Sequence, residues 1–246
     1  GVQTCALPIF GKTLLVHAIT AHFIRQHGVA CAAFMLEDRI GKTAMNIATH
    51  LTGVKMGVFE QERMEQVNED FNLEDNLHLW KNKGANDWDN IAQCIRFYAV
   101  VMKCKLIFVD NVTALTNTLS PSECNTEIAR IATEAHGLCD ELGITIVLLS
   151  HLNPPSSGPS HEEGGEVRPV QFTGSRALQR WSDVMLGFER NLYAEGEAKH
   201  LSKIRVLKDR ENGRTGFINT RYDLITGGLE ETDLSFQATE SEVDNW

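Results

Sequence analysis

Two short stretches of this 246-residue chain carry residue types that handle phosphate groups. Gly11-Lys12-Thr13 leads directly into a helical pattern. Amides at a helix N-terminus and a lysine hold phosphates, and a threonine hydroxyl at that place ligates magnesium. Leu106-Ile107-Phe108-Val109-Asp110 drives an aspartate to the end of a buried-type strand, where its carboxylate can hold magnesium through water. Neither stretch means much alone. Gly41-Lys42-Thr43 repeats the first triplet without the glycine five residues earlier and reads as an ordinary helix start. A strand ending in aspartate is as often structural, and the weight comes from the pair, roughly 95 residues apart in the order that nucleotide binding requires.

Two further strand ends add to this pair. Glu37 closes the apolar stretch from Val29 to Leu36, where a carboxylate can activate an attacking water; a solvated strand end or a helix cap shared with Asp38 is the plainer alternative. His151 follows the run Ile144 to Leu149 and can hydrogen-bond a γ-phosphate and pass on its loss, or can be one more satisfied polar residue. The residues before Gly11 run against the pattern. The motif G-x-x-x-x-G-K-[ST] needs glycine at position 6, where this chain has Ala6, and Pro8 and Ile9 fill positions that are usually small or flexible. Loss of that glycine impairs close backbone approach to phosphates. Residues 1–10 also offer no apolar strand before the loop, and they read as foreign junction sequence on a domain truncated inside its phosphate loop.

The elements that must position these residues alternate between short apolar runs and helical patterns, the mark of an α/β chain with a mostly parallel twisted sheet and crossover helices. Helices are predicted over 12–27, stopped by Gly28, over about 40–52 and 58–70, from Asp87 to Met102, and from Pro121 to Leu142, where Gly143 breaks the pattern. Strands are predicted at 29–36, 77–80, 105–109 and 144–149. The proline- and glycine-rich stretch 153–169 reads as a long mobile loop of the kind that carries function. A short helix near 175–181 and strands at 183–189, 202–208 and 216–223 are expected to close the sheet antiparallel.

Composition is that of one globular domain, with 42% hydrophobic and 23% charged residues. No apolar run approaches the roughly 18 residues of a membrane span, and no secretion signal opens the chain, so a soluble, cytoplasmic protein is expected. The six cysteines lack C-x-x-C or histidine spacing, which argues against a zinc site and a disulfide framework and for reduced core thiols. The formal charge is -10, but Glu230 onward holds six acidic residues and no basic one. The remainder carries 23 basic and 27 acidic residues, a balance compatible with a local basic groove. Residues 230–246 read as an acidic flexible tail.

In this order the residues resemble the RecA-like motor domain of hexameric replicative DNA helicases, the phage primase–helicase, Twinkle and DnaB-like group, over about residues 11–229. The resemblance rests on Met35-Leu36-Glu37-Asp38, Ile107-Phe108-Val109-Asp110, Ser150-His151-Leu152, His161-Glu162-Glu163-Gly164, Gly174-Ser175-Arg176-Ala177-Leu178, Ser182-Asp183, Phe188-Glu189-Arg190-Asn191 and Leu207-Lys208-Asp209-Arg210 with Gly213 and Gly216. It implies a P-loop NTPase core whose Gly11, Lys12 and Thr13 bind ATP or another NTP. Magnesium would sit at Thr13 and at Asp110, the Walker B aspartate, with Glu37 as catalytic base and His151 as γ-phosphate sensor. Arg210, with Lys208 beside it, would be the arginine finger that reaches a neighbouring subunit's nucleotide, and Arg190 and Tyr222 would flank the base. Without the family, Lys208 and Arg210 are charges at a strand end and Tyr222 packs on a sheet edge.

The resemblance also makes the loop after His151 a single-stranded DNA contact in the channel of a hexameric ring. Here Asn153, Ser157, Pro159 and Thr173 stand where phage relatives are basic. The remaining candidates are Arg168, Arg176 and Arg180, with the amides around Gly174 and Ser175; a solvated loop charge is the alternative for each arginine. The function implied is ATP-driven translocation on single-stranded DNA and duplex unwinding by a homo-oligomer. The acidic tail would be either a docking segment for a replisome partner or a plain solubilising end. Two other readings stay open. One is a RecA-type recombinase or clock-type ATPase with the same core. The other is a non-hydrolysing DNA-binding or replisome-docking module, because the phosphate loop is incomplete.

Overall fold

The structure, a computed structural model, describes residues 2–6, 11–57, 60–81 and 87–236, with the side chains of residues 2–6, 12 and 175 left out of the description. The sheet has nine strands: β1 (Val2–Ala6), β2 (Cys31–Met35), β3 (Leu77–Lys81), β4 (Leu106–Asp110), β5 (Thr145–Ser150), β6 (Val184–Glu189), β7 (Leu201–Asp209), β8 (Gly216–Tyr222) and β9 (Leu229–Glu231). Their spatial order is β3-β2-β4-β5-β1-β6-β7-β8-β9. The six strands from β3 to β6 run parallel, and β7, β8 and β9 continue antiparallel from β6. The α/β expectation, including antiparallel closure by the C-terminal strands, therefore holds.

The helices are α1 (Lys12–His27), α2 (Ile40–Thr52), α3 (Gln61–Phe71), α4 (Leu73–Asn76), α5 (Trp88–Val100), α6 (Pro121–Leu142) and α7 (Ser175–Trp181). Local chemistry fixes their ends. Asp87 accepts from the Asn90 amide at the start of α5, Ser120 and Glu123 form a reciprocal cap at α6, and Gly28 and Gly143 take left-handed φ at the ends of α1 and α6. Period-two alternation divides β2 between two cores. Ala32 and Phe34 face Trp88, Ile91, Ile128 and Ile131 of α5 and α6, whereas Cys31, Ala33 and Met35 face Leu15, Val16, Ile47 and Leu51 of α1 and α2. Cys31, Cys104 and Cys139 are buried free thiols. Burial pushes the Cys31 thiol up to about 12, out of reach of ordinary thiolate chemistry.

Two sequence expectations change here. Residues 1–10 were expected to supply no strand, yet Val2–Ala6 form β1, paired in parallel with β5 on one side and β6 on the other. Hydrogen bonds from two flanking strands fix a segment whose Gln3 and Thr4 give no apolar signal. Pro8 and Ile9 lie outside the described residues. The acidic segment from residue 230, expected to be flexible, is held as far as residue 236: Glu230 and Glu231 lie in β9, and Phe236 is 5% exposed. Residues 237–246 lie outside the described residues. No described helix is long and apolar enough to cross a membrane.

Candidate functional site

The parallel strands bring their carboxyl ends to one sheet edge, so β2, β4 and β5 deliver Glu37, Asp110 and His151 side by side. Asp110 pairs with Met35 across the β2–β4 ladder and is 7% exposed. The Thr13 hydroxyl, in the first turn of α1, donates to Asp110 Oδ2 at 3.2 Å. A hydroxyl and a carboxylate oxygen converging on one point are hard donors of the kind magnesium takes, so these residues fit that ion. Glu37 Oε1 stands 3.7 Å from His151 Nε2, and both side chains remain accessible. The four residues line one cavity of about 430 Å³, together with His17, Lys42, Asn46 and His50 of α1 and α2 and with Tyr222.

Gly11 is the N-cap of α1, where the first amides of a 16-residue helix lack intrahelical acceptors. Its backbone is unstrained, and the need for glycine comes from packing: a Cβ there would overlap the Phe188 ring of β6. Lys12 opens the helix. Arg190 follows β6 and donates through Nε and Nη2 to the Lys199 carbonyl, at 3.1 and 2.8 Å. Burial draws its guanidinium below the ordinary range, and the nearby Tyr222 opposes that shift. Arg190 thus lies near Tyr222, which lines the cavity.

Arg210 and Lys208 are not brought to Asp110. Strand β7 runs antiparallel to β6, and Asp209 pairs with Val184 at the beginning of β6. The five steps from Val184 to Glu189 along β6, at about 3.3 Å each, put about 17 Å between that edge and the one carrying Asp110. There Arg210 Nη1 meets Asp183 Oδ1 at 3.2 Å, and Nη2 donates to the Arg180 carbonyl at 2.8 Å. Lys208 Nζ donates to the carbonyls of Gln179 and Ser182, at 2.5 and 2.6 Å. Burial, then the Arg210 charge, lower its pKa.

The nucleic-acid candidates divide in the same way. Arg168 and Arg176 are exposed, on the chain returning from the long loop and in the first turn of α7. Gly174 caps α7 with φ 71°, and a Cβ there would overlap Ile128, so its glycine serves the seam between α6 and α7. Ser175 begins that helix. Arg180 sits in its last turn, 5.3 Å over the Trp181 ring, and its carbonyl belongs to the Arg210 cluster. The loop itself is tied down. Val167 donates its amide to Glu189 Oε1, while Glu189, 2% exposed, pairs with Arg205.

Sequence reasoning missed three residues of this region. Asn111, 1% exposed, contacts His151 through its amide, and only its place after Asp110 hinted at it. His17 is 1% exposed, with no partner for either ring nitrogen among the described residues. Burial, then His50 and Lys42, lower its pKa to about 3. Lys42, in the triplet read as a helix start, does begin α2, pairs with Asp38 at 3.4 Å and also lines the cavity.

Comparison with known proteins gives this edge its context. The family described as the DnaB-like helicase C-terminal domain matches residues 3–231. A DNA helicase/primase of Enterobacteria phage T3 is 28% identical over 243 residues, 95% of this chain but 42% of that protein, so the chain spans less than half of that relative. Among solved structures, one described as an ATPase domain superposes with a TM-score of 0.72 at 16% identity, covering 94% of this chain and 84% of that one. A DnaB-like replicative helicase, solved in a study of its interactions with primase, gives 0.69 at 16% identity, covering 93% and 56%. A KaiC-like protein of Pyrococcus horikoshii gives 0.63 at 11% identity, covering 94% and 88%. These likenesses show the fold, and the match over residues 3–231 shows the family: this chain belongs to the DnaB-like helicase C-terminal domains, with their RecA-like motor fold.

Proposed function

We propose that this chain is the motor domain of an ATP-driven DNA helicase, working between subunits of a hexameric ring and moving on single-stranded DNA. The observation that carries the reading is the convergence of Thr13, Asp110, Glu37 and His151 on one cavity at the carboxyl edge of the sheet. Magnesium at Thr13 and Asp110 would neutralise charge on the phosphates of ATP or another NTP. Gly11 and Lys12 would receive those phosphates at the start of α1, and Arg190 and Tyr222 would flank the base. Glu37 would take the proton of the attacking water, and His151 would pass the loss of the γ-phosphate to the loop that begins at Leu152. Arg210, with Lys208 beside it, would act on a neighbouring subunit's nucleotide. Arg168 and Arg176, the amides at Gly174 and Ser175, and Arg180 are the proposed DNA contacts. The expected readout is phosphate release from ATP that rises with single-stranded DNA, followed by strand separation on a forked duplex.

Ala6 favours a second reading, a module that binds DNA or replisome partners without hydrolysis, because the phosphate loop lacks the glycine of the full motif. The acidic end is proposed as a docking segment for a basic replisome component. Removing residues 237–246 without loss of polymerase binding disposes of that proposal.

A further inference from the structure

We infer that His17 binds a sugar hydroxyl of the nucleotide and sets a preference for ribose over deoxyribose. The inference rests on the reading above, in which the phosphates meet Gly11, Lys12 and Thr13 and Tyr222 flanks the base. His17 forms part of the cavity wall, yet it is buried, and neither ring nitrogen has a partner among the described residues. Burying a polar group without a hydrogen bond destabilises a fold. An apolar side chain would fill the same place in α1 without that cost, so the imidazole is explained by a partner that arrives with a ligand.

The place of His17 selects the part of the ligand. It stands four residues after Thr13 on α1, on the same face and about 6 Å along the helix. On α2, both Lys42 and His50 are close enough to act on its ring, and those two lie about 12 Å apart along that helix. Tyr222 and Gly227 line the cavity beside the same end of α2: a Cβ on Gly227 would lie 2.8 Å from Thr49 Cγ2 and 3.7 Å from the Tyr222 hydroxyl. His17 therefore lies between the pair Thr13 and Asp110 and the base-flanking Tyr222, which is where a nucleotide carries its sugar. The ring is neutral, because burial, then His50 and Lys42, lower its pKa to about 3. A neutral imidazole offers one donor and one acceptor, as a sugar hydroxyl does, whereas a phosphate oxygen would call for the charged ring that burial disfavours. The torsion that turns a histidine ring is broad, so a turn brings a nitrogen to the wall that the ring already forms.

The test is calorimetric titration of the whole chain with the magnesium complexes of ATP, 2′-deoxy-ATP and 3′-deoxy-ATP, repeated on a chain with a rebuilt phosphate loop. In whichever chain binds ATP, one deoxy analogue is expected to bind about tenfold more weakly, the scale of one neutral hydrogen bond. His17→Leu should bring that analogue level with ATP, and His17→Gln, which keeps a donor and an acceptor, should preserve the difference. Equal binding of all three nucleotides by the unsubstituted chain overturns the inference whether or not the variants fold. A sugar preference that survives in His17→Leu overturns it too, as does one lost equally in both variants. Absence of ATP binding by both parent chains, each folded, overturns the nucleotide reading itself, an outcome distinct from ATP binding without sugar preference.

Discussion

Arg210 is paired with Asp183 at the edge of the sheet opposite Asp110, so the guanidinium and the metal-type carboxylate of one chain face different ways. On the proposed function, Arg210 would serve a neighbour's nucleotide and not that of its own chain. In a chain with a complete phosphate loop, Arg210→Ala and Asp110→Asn are each expected to abolish DNA-stimulated phosphate release. Mixing the two should restore part of it, because some interfaces combine an intact Asp110 with an intact Arg210. Mixtures as inactive as either parent count against action between subunits.

Thr13 and Asp110 already meet at 3.2 Å, so the limiting defect is expected in the loop that precedes α1. Rebuilding residues 6–10 to the full glycine motif is expected to raise ATP turnover in the presence of single-stranded DNA by about 100-fold or more, the scale of a lost set of electrostatic phosphate contacts. Thr13→Val in the rebuilt chain should remove the gain and the magnesium dependence with it. Absence of turnover in both the rebuilt and the unaltered chain, each folded, sends the assignment toward the non-hydrolysing module.

Gly174 separates a packing role from a DNA role. A methyl group there overlaps Ile128 and meets a φ of 71°, and Gly174→Ala is expected to cost about 1–3 kcal/mol. For a chain of this size that is a fall of roughly 2–4 °C in Tm per kcal/mol. Arg176→Ala should leave Tm unchanged, weaken single-stranded DNA binding and reduce its salt slope by about one contact. Thermal melts and DNA titrations at two salt concentrations read both.

Phe236 packs where a Cβ on Gly164 would lie 2.5 Å from its ring, and Lys203 stands 5.4 Å over that ring. It therefore fastens the acidic segment to the base of the long loop. Phe236→Ala is expected to cost about 3 kcal/mol and to speed protease cleavage within residues 153–169. Unchanged cleavage rates would show that the loop is held without it.

His17 gives the fold an acid limb. Its folded pKa of about 3 lies below the ordinary 6.5 because burial disfavours the charged ring. The unfolded chain takes up that proton first as pH falls, so stability drops between about pH 6.5 and 3, by about 1.4 kcal/mol per pH unit from this residue. His17→Leu should flatten urea-unfolding stability over that range. An unchanged slope places the acid sensitivity elsewhere.

Much of this architecture was legible because it rests on local chemistry. The helix starting at Pro121 and ending at Gly143, the Asp87 cap and the strand that carries Asp110 are set by caps, breakers and apolar runs within a few residues of each other. The order of Glu37, Asp110 and His151 at strand ends was legible for the same reason, since parallel strands deliver their carboxyl ends to one edge. Strand β1 was not legible: its place comes from hydrogen bonds to β5 and β6, strands more than a hundred residues away in sequence.

Element types, helix boundaries and the set of phosphate-handling residues could be read from the chain before folding, because propensity, capping and periodicity act over one or two turns. Which of those residues meet is a property of the folded sheet. Folding set Thr13 against Asp110, turned Arg210 away from both, placed Asn111 between β4 and His151, and seated Phe236 on Gly164. Such contacts depend on strand order and register, and one pattern of alternating apolar residues is compatible with many orders.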